Sequence, residues 1–466
     1  MPKKKAVRQL RTDKNKVINF YIIFSAVAVF LSIELAMFSR GDSLRDSMFW
    51  NGWYTDHFMD FFNTLRDSRD LTWVYQRNVI YPPLSVLFMY CMTKFLPEEL
   101  ASLYFSQRMT MQASQAAVML YFFFAVCCLL LLAVMIEKYM HDSGVGAERF
   151  AVVLFSIVSF PVIYCMERGN TSLLATVGCA FFLFFRNSKS KGIREVACIM
   201  LALAAGIKLF PSVLGVLLIY DRQYKRAART VLYGILMIAV PYLLIQLLMP
   251  ESGGIADAYV GQSTVVHSDG SIGSTDGSIL RLAKNLIRWV NKRNFFSYNS
   301  TSISNFVFLA QSQEQINAQT ASILSVALFL LTEVLAFLLG FVCKKEWQRQ
   351  FLALYMMLNI HSIAMHYTLI YIIPVFIVFL CDRRQLKEKP RALKWIYFLL
   401  FAAQVVSLPY ILYGMRGRVS HWLELIGLPA VSNFNKFFSC FAFQLLALLV
   451  VLDIVTEMMK RKKKGI

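Results

Sequence analysis

The chain has 466 residues, 57% of them hydrophobic and only 16% charged, with a formal net charge of +20. Soluble domains are about 45–50% apolar and about 25% charged, so this composition excludes an ordinary soluble protein. Apolar segments recur from residue 17 to residue 457 with no polar linker between folding units, which predicts one membrane domain over residues 1–466.

The positive charge lies in short basic runs between the apolar segments. These runs are MPKKKAVRQLRTDKNK (1–16), RNSKSKGIR (186–194), DRQYKRAAR (221–229), CKKEWQRQ (343–350), CDRRQLKEKPRALK (381–394) and KRKKKGI (460–466). Cytoplasmic loops of membrane proteins carry such an excess of Lys and Arg. The distribution predicts that both termini are cytoplasmic, with a basic tail at 1–16, and it argues against nucleic acid as a partner.

The nine cysteines lie mostly inside apolar runs, as Cys127, Cys128 and Cys179 do, and no two of them have CxxC spacing. This pattern predicts neither a disulfide framework nor a zinc site.

A first outer region is predicted between two spans. Residues 17–38 can cross about 30 Å of hydrocarbon, and no small-residue cleavage site follows them, so we interpret them as a retained anchor. Residues 39–115 then form an outer loop whose apolar piece, YPPLSVLFMYCMTKFLP (81–97), is too short to span. That piece predicts a re-entrant or interfacial helix, and the next span, residues 116–136, returns the chain to the cytoplasm.

Three apolar stretches are predicted to be hairpins of two short helices. The basic runs at 186–194 and 221–229 should both be cytoplasmic, yet a single apolar stretch separates them. A charge and a proline interrupt this stretch, which favours two short helices over one straight crossing. The interruption is Gly206-Ile207-Lys208-Leu209-Phe210-Pro211. The same pattern occurs at 150–166 and 171–185, joined by Glu167-Arg168-Gly169-Asn170, and at 351–364 and 368–380, joined around His366-Tyr367.

The remaining spans complete an all-α polytopic fold. Residues 231–248, 321–342, 395–413 and 437–455 bring the predicted number of crossings to twelve, several of them short and paired. Residues 250–320 form a long outer loop rich in Ser, Gly, Asn and Asp. A loop of this length is usually functional or disordered, so a flexible cover over a substrate and a disordered segment both stay open.

Three ionisable residues, Glu167, Arg168 and Lys208, fall at predicted membrane depth. A charge there costs roughly 2.5–3.5 kcal/mol on insertion scales, so it normally faces a cavity or a partner. One interpretation is that Glu167 and Arg168 pair with each other at helix ends. The other is that adjacent hairpins bring Arg168 and Lys208 together as two cations that bind a phosphate near the outer leaflet.

The first outer loop carries two carboxylates in an aromatic segment, WNGWYTDHFMDFFN (50–63). Asp56 and Asp60 are spaced i, i+4 and would share one face if the segment is helical. A carboxylate in a partly desolvated aromatic pocket is suited to general-base chemistry. The alternative is a solvated loop with interfacial Trp and Tyr anchors. His57 is either a substrate contact or a solvated side chain.

Taken together, these motifs resemble a known family. They are Tyr54-Thr55-Asp56, Asp60-Phe61-Phe62-Asn63, Tyr81-Pro82-Pro83-Leu84, Arg168-Gly169-Asn170, Gly206-Ile207-Lys208-Leu209-Phe210-Pro211 and His366-Tyr367. The chain resembles membrane glycosyltransferases of the C-type fold, specifically the bacterial polyprenol-phosphate-mannose-dependent mannosyltransferases. It has a fainter likeness to the eukaryotic first mannosyltransferase of GPI-anchor synthesis. Gly-x-Lys-Leu-Phe-Pro is the most specific of these motifs.

The resemblance implies an inverting hexosyltransferase that moves mannose from a polyprenyl-phosphate donor to a hydroxyl of a glycolipid or glycan acceptor on the outer face. It implies no metal, and no cofactor is expected. Asp56 would be the general base and Asp60 the second candidate. The eukaryotic relatives carry two acidic residues one apart, whereas this chain has Phe58 two positions after Asp56, which leaves the choice between Asp56 and Asp60 open. By the same resemblance, the donor phosphate would be bound by Arg168, Lys208, His366 and Tyr367, and the substrates would also contact His57, Asn63, Tyr81 and Asn170.

A transporter or flippase of lipid-linked saccharides would share this topology. Transporters often have paired repeats with broken helices in both halves, whereas this chain shows three hairpins and no convincing internal repeat. A non-catalytic scaffold of the cell envelope would explain the topology but not Asp56, Lys208 and His366. The sequence therefore favours a glycosyltransferase of a bacterial plasma membrane, whose partners are the polyprenyl-phosphate sugar, the acceptor and the lipid bilayer.

Overall fold

The computed structural model describes most of the apolar segments of the chain. It covers residues 2–38, 57–69, 71, 81–97, 111–248, 265–266, 272–273, 302–304, 307, 311, 315–360, 366–382, 391–406 and 434–463. In the first and last helices, side chains are described for residues 16–34, 37 and 438–461. The outer loops predicted at 39–115 and 250–320 are therefore described only in part.

Helices make up nearly all of these ranges. The described α-helices are α1 (Pro2–Phe38), α2 (Met59–Ser68), α3 (Pro83–Thr93), α4 (Gln115–Asp142), α5 (Glu148–Ile157), α6 (Phe160–Arg168), α7 (Ser172–Phe185), α8 (Lys191–Ile207), α9 (Val216–Tyr220), α10 (Tyr224–Leu248), α11 (Ala318–Val342), α12 (Glu346–Ile360), α13 (Ile372–Cys381), α14 (Arg391–Val405) and α15 (Phe434–Lys463). Short 3-10 helices cover Met111–Ala113, Phe210–Gly215 and His366–Tyr371. Two short strands, β1 (Val265–Val266) and β2 (Ile272–Gly273), pair antiparallel within the predicted long loop.

Several helices are long and apolar enough to cross a membrane. The structure gives six such segments, Lys16–Glu34, Gln115–Asp142, Glu148–Arg168, Tyr224–Leu248, Ala318–Val342 and Phe438–Arg461. They expose rows of large apolar side chains; on α10 these are Val231, Leu232, Ile235, Leu236, Val240, Leu243, Leu244, Leu247 and Leu248. Exposed apolar surface of this extent is rare in water and normal in hydrocarbon. The helical, multi-pass class predicted from the sequence is confirmed, while the total of twelve crossings and the orientation stay predictions.

Three shorter helices lie at the centre of the bundle. Helices α7, α12 and α13 are buried along almost their whole length. Helix α7 packs against α4, α8 and α13, and α12 packs against α11 and α13. Helices α7 and α13 are apolar on nearly all sides, as expected of helices in such an interior, whereas α12 also buries the polar residues Gln348, Gln350 and Asn359. With 14 residues, α7 is only about 21 Å long, in keeping with the short paired helices predicted there.

Prolines lie at two of the helix breaks. The stretch predicted as one short helix at 150–166 consists of two helices, since α5 ends at Ile157 and α6 begins at Phe160, next to Pro161, which cannot donate a backbone hydrogen bond. Pro211 lies at the start of the 3-10 helix that follows α8. Short helices therefore follow one another at the three places where the sequence predicts hairpins.

Ion pairs connect the helix ends next to the predicted cytoplasmic loops. Arg186, only 1% exposed at the end of α7, contacts Glu346 at the start of α12, and its Nε lies 3.6 Å from Oδ2 of Asp221 after α9. Arg349 of α12 contacts the other carboxylate oxygen of Asp221. Removing one partner of a buried pair leaves an uncompensated charge, which is strongly destabilising. The network therefore fixes α7, α9 and α12 relative to one another.

Tyr220 lies directly across Gly340 of α11. A Cβ atom at Gly340 would overlap the phenol ring, whereas a Cβ at Gly234 of α10 would meet no atom within 4 Å. We expect Gly340→Ala to lower the midpoint of thermal unfolding in detergent, because overpacking costs about 1–3 kcal/mol. Gly234→Ala is the matched control and should be neutral or stabilising, because Ala is favoured over Gly in a helix by about 1 kcal/mol. Equal midpoints for the two variants would contradict this packing.

Candidate functional site

A four-residue turn, Glu167-Arg168-Gly169-Asn170, joins α6 to α7. Gly169 ends α6 with φ of 65°, a left-handed conformation that glycine adopts without steric cost. The N–H of Asn170 donates to the Cys165 carbonyl at 3.1 Å. The side-chain oxygen of Asn170 accepts hydrogen bonds from the N–H and the hydroxyl of Ser172, at 2.9 and 2.7 Å. Hydrogen bonds thus hold the turn at both ends.

The predicted first outer loop docks onto this turn through its backbone. The N–H of Phe58 donates to the Glu167 carbonyl at 2.7 Å. A Cβ atom at Gly169 would lie 2.7 Å from the Phe58 carbonyl oxygen, closer than real Cβ atoms approach. Phe58 itself has φ of 57°, which is uncommon for a bulky residue and persists only where neighbouring contacts impose it. Glycine is therefore needed at position 169 for its conformation and for the space it leaves.

Asp60, in the first turn of α2, is held by the same turn. Its Oδ1 accepts a hydrogen bond from Arg168 Nη2 at 2.9 Å, and its Oδ2 accepts one from Asn170 Nδ2 at 2.6 Å. The side chain remains 22% exposed. Because a carboxylate has about four acceptor positions, both oxygens can accept a further hydrogen bond from a substrate hydroxyl.

His57 pairs with the first residue of the turn. Its Nδ1 lies 3.1 Å from Oε1 of Glu167, whose side chain is only 5% exposed, while the imidazole is 25% exposed. The His57 carbonyl accepts a hydrogen bond from the Gln112 side chain at 2.8 Å. The carboxylate of Glu167 therefore fixes the orientation of the imidazole.

Aromatic packing fixes α2 against α4. The ring centroid of Tyr121 lies 4.6 Å from that of Phe58 and 5.1 Å from that of Phe61, which is fully buried. The Tyr121 hydroxyl donates to the carbonyl of Met166 in the last turn of α6. One side chain of α4 thus contacts both the helix that carries Asp60 and the helix that ends in the turn.

Lys208 follows the last residue of α8, at the predicted interruption. Its Nζ lies 4.3 Å from the centroid of the Tyr81 ring, a cation–π contact. Within the described part of the chain, no carboxylate forms an ion pair with this ammonium group. A Cβ atom at Gly206 would lie 2.7 Å from Leu84 of α3, so α3 packs closely on the end of α8 and brings Tyr81 over Lys208. Burial, together with the Asp60 charge, raises the pKa of Tyr81 well above its usual range, so the phenol stays protonated.

His366 and Tyr367 begin the 3-10 helix that precedes α13. The His366 ring is fully buried, with its centroid 4.8 Å from that of Phe160 and 5.5 Å from that of Tyr164. Tyr367 is only partly buried, and its ring lies 6.5 Å from that of Tyr164. The imidazole therefore packs against α6, and its direct contact with a donor phosphate stays a prediction.

These side chains form one cluster. Asp60 lies within electrostatic range of Lys208 and of the phenols of Tyr81 and Tyr367, and Arg168 lies within range of both phenols. The cluster thus joins α2, the turn before α7, the end of α8 and the 3-10 helix before α13. A carboxylate, two cations and hydroxyl groups thus interact electrostatically in a partly buried environment.

The structure corrects one expectation about the first loop and leaves another untested. Helix α2 begins at Met59 and Phe58 is left-handed, so a single helix with Asp56 and Asp60 on one face is wrong. Asp56 itself lies outside the described residues. Asn63 is half-buried one turn after Asp60.

The structure gives Glu167 and Arg168 partners that neither sequence interpretation named, and both interpretations stay predictions. Each contacts a residue of the predicted first outer loop, Glu167 through His57 and Arg168 through Asp60. A carboxylate at membrane depth needs a partner, and this signal pointed to Glu167 without identifying His57. Sequence reasoning also missed Gln112, for which the sequence carries no signal. Asn170 binds Asp60 in the structure, and its predicted contact with substrate stays a prediction.

A comparison with protein families decides the class of this protein. Residues 79–358, more than half of the chain, match glycosyltransferase family 87. The chain belongs to this glycosyltransferase family. Neither curated proteins nor solved structures gave a match. Membership in family 87 favours an enzyme over the transporter, flippase and scaffold alternatives.

The region matched to family 87 contains part of the cluster. Tyr81, Arg168, Asn170 and Lys208 lie inside it, whereas Asp60 precedes it and His366 follows it. The family thus supports sugar transfer in general, and the roles of individual residues have to be argued from their geometry.

The fit of Phe58 against Gly169 can be tested by adding one methyl group. We expect Gly169→Ala to lower sugar transfer and the midpoint of thermal unfolding together, because alanine is strained at φ of 65° and its Cβ would displace Phe58 and thereby Asp60. Gly192→Ala is the matched control, since its Cβ would meet only one atom, at 3.9 Å. Unchanged transfer in Gly169→Ala would show that the docking of Phe58 is not needed.

Proposed function

We propose that this family 87 enzyme transfers a sugar from a polyprenyl-phosphate donor to a hydroxyl of a glycolipid or glycan acceptor at the outer face of the membrane. Mannose is the sugar expected from the resemblance of the motifs. The observation that carries the proposal is the partly exposed carboxylate of Asp60 in one cluster with Lys208, a cation without an ion-pair partner in the described ranges.

Lys208 and Arg168 would bind the donor phosphate. An ammonium group at membrane depth is costly without an anion, and its cation–π contact with Tyr81 contributes about 0.5–2 kcal/mol. A phosphodiester would supply the missing anion. Cations that are already in place also stabilise the negative charge that develops on the departing phosphate.

Asp60 is our choice for the general base. Its two oxygens each retain acceptor capacity beside the bonds to Arg168 and Asn170, and it shares the cluster with the proposed phosphate site. Asp56 remains the alternative, since it lies in the same loop and outside the described residues.

The proposed reaction is a single inverting displacement. The acceptor oxygen attacks the anomeric carbon from the face opposite the phosphate, and the bond from that carbon to the phosphate oxygen breaks with both electrons going to the phosphate. The acceptor proton passes to Asp60 and later to water. The products are the glycoside and the polyprenyl phosphate, which is held by Lys208 until it leaves.

The other side chains of the site would position the substrates. Tyr81 and Tyr367 have phenolic hydroxyls near Asp60 and Arg168 that suit sugar or phosphate oxygens. His57 and Asn63 lie on either side of Asp60 along the chain and would contact the acceptor. His366 would contact the donor phosphate from the 3-10 helix before α13.

The membrane setting follows the same resemblance. We propose a C-type fold with twelve crossings, cytoplasmic termini and the loops at 39–115 and 250–320 on the outer face of a bacterial plasma membrane. The polar turn between α6 and α7 and the interrupted helix at Lys208 support a site below the outer surface, because irregular backbone at membrane depth is tolerated where it lines a cavity.

Mannose transfer by the purified protein in lipid nanodiscs tests this function. With polyprenol-phosphate mannose and glycolipid acceptors, we expect Asp60→Asn to lower kcat by about 10²–10⁴ because the proton acceptor is lost. Lys208→Gln should lower it by about 10²–10³ because charge on the leaving phosphate is no longer stabilised. Asp67→Asn is the matched control on α2, where Asp67 pairs with Arg66, and it should retain activity.

Three outcomes would contradict parts of this account. Full turnover by Asp60→Asn with loss in Asp56→Asn would make Asp56 the base. Full turnover by Lys208→Gln would remove the proposed phosphate site. No consumption of the donor by the wild type with any acceptor would exclude the proposed donor class.

A further inference from the structure

Arg168 is bound to the proposed base although its expected partner is the donor phosphate. Its Nη2 donates to Asp60 Oδ1 at 2.9 Å, and its side chain is 12% exposed. Tyr81, whose ring contacts Lys208, interacts electrostatically with both Arg168 and Asp60. Arg168 therefore holds the proposed base and has a neighbour in common with the proposed phosphate site.

We propose that Arg168 moves its hydrogen bond from Asp60 to the departing phosphate as the sugar is transferred. This inference rests on the proposed function and gives Arg168 a role that differs from that of Lys208. Lys208 binds the phosphate throughout, whereas Arg168 first holds the base and then stabilises the leaving group.

The charge balance of the reaction supplies the driving force. Before transfer, Asp60 is ionised and the donor phosphodiester carries one negative charge. Afterwards Asp60 holds the acceptor proton and the released phosphate monoester carries up to two charges. Hydrogen bonds between ionised partners are about twice as strong as neutral ones, so a guanidinium is drawn away from a protonated carboxyl group towards the phosphate. No proton or electron is needed beyond those of the transfer itself.

An arginine side chain can bind a carboxylate and a phosphate in succession. A guanidinium has five N–H donors in a planar fork that matches carboxylate and phosphate oxygens alike. The backbone of Arg168 is fixed at the end of α6 by the Gly169 cap, so the side chain can swing while its origin stays in place. Lys208 is kept in position by Tyr81, so the phosphate site does not depend on this movement.

Asn170 explains how Asp60 remains in place after Arg168 has moved. Its Nδ2 donates to Asp60 Oδ2 at 2.6 Å, and its side-chain oxygen is held by Ser172. The amide therefore cannot turn away, and it binds a carboxyl group whether or not that group is protonated. Asn170 thus keeps its hydrogen bond to Asp60 throughout the reaction, whereas Arg168 transfers its hydrogen bond to the phosphate.

A double-mutant cycle on product binding tests this movement. Asp60→Asn is an uncharged mimic of protonated Asp60 and should release Arg168. Equilibrium binding of polyprenyl monophosphate is measured in nanodiscs for the wild type, Asp60→Asn, Arg168→Gln and the double variant, with polyprenol as the ligand that lacks a phosphate. Arg168→Met is a second variant that lacks the guanidinium. Size-exclusion profiles and unfolding midpoints identify the variants that fold.

We expect Asp60→Asn to tighten binding of polyprenyl monophosphate about tenfold when Arg168 is present, because the released guanidinium turns to the phosphate. Without Arg168, the tightening should fall below about threefold, as expected when the coupling partner is gone. In the Lys208→Gln background the tightening should persist, although binding is weaker overall. Polyprenol should bind all variants alike.

The outcomes separate this inference from the proposed function. If Asp60→Asn tightens binding equally with and without Arg168, the effect is a simple loss of repulsion and the movement of Arg168 is wrong. If wild type binds polyprenyl monophosphate and Asp60→Asn changes nothing, this inference alone fails. If the wild type binds polyprenyl monophosphate no better than polyprenol, the proposed donor class fails and the inference fails with it.

Discussion

The site depends on the contacts by which the turn at residues 167–170 holds residues 57–60 of the predicted first outer loop. Glu167 binds the His57 ring and the Phe58 backbone. Arg168 and Asn170 bind the Asp60 carboxylate. Gly169 leaves the space that Phe58 needs. Each hydrogen bond contributes about 0.5–1.5 kcal/mol, and about 1.5–3 kcal/mol where a charge takes part. Because the bonds act on three residues within a four-residue segment, His57, Phe58 and Asp60, they define its position jointly.

The interior of the bundle gives this turn its fixed place. Helix α7, which begins just after the turn, is buried between α4, α8 and α13, and the Arg186 network holds its other end. Tyr121 of α4 contacts the loop and the last turn of α6 together. Sites on such rigid elements are positioned more accurately than sites carried by free loops. The proposed chemistry therefore uses residues of the first loop, His57 and Asp60, that are anchored on the core of the bundle.

The sequence predicts those features that have local causes. Apolar length and basic runs indicate the membrane class, and Pro211 and Gly169 indicate where helices break, whereas the break next to Pro161 is not predicted. The sequence also groups Asp60, Arg168 and Lys208 into one candidate site through the resemblance. It does not identify the partners within the site, because Asp60 and Arg168 are 108 positions apart and His57 and Glu167 are 110 apart. No periodic pattern of residues along the chain predicts contacts at such separations. The left-handed conformation of Phe58 is likewise imposed by its contacts with the turn and not by its own conformational preference.

The central claim is that the turn holds Asp60 beside a phosphate site at Lys208. A cryo-EM structure of the Asp60→Asn variant with polyprenyl-phosphate mannose would test it most directly. The account predicts a donor phosphate oxygen about 3 Å from Lys208 Nζ, with the anomeric carbon of the sugar facing residue 60. A phosphate bound away from Lys208, or a sugar that does not face residue 60, would contradict it.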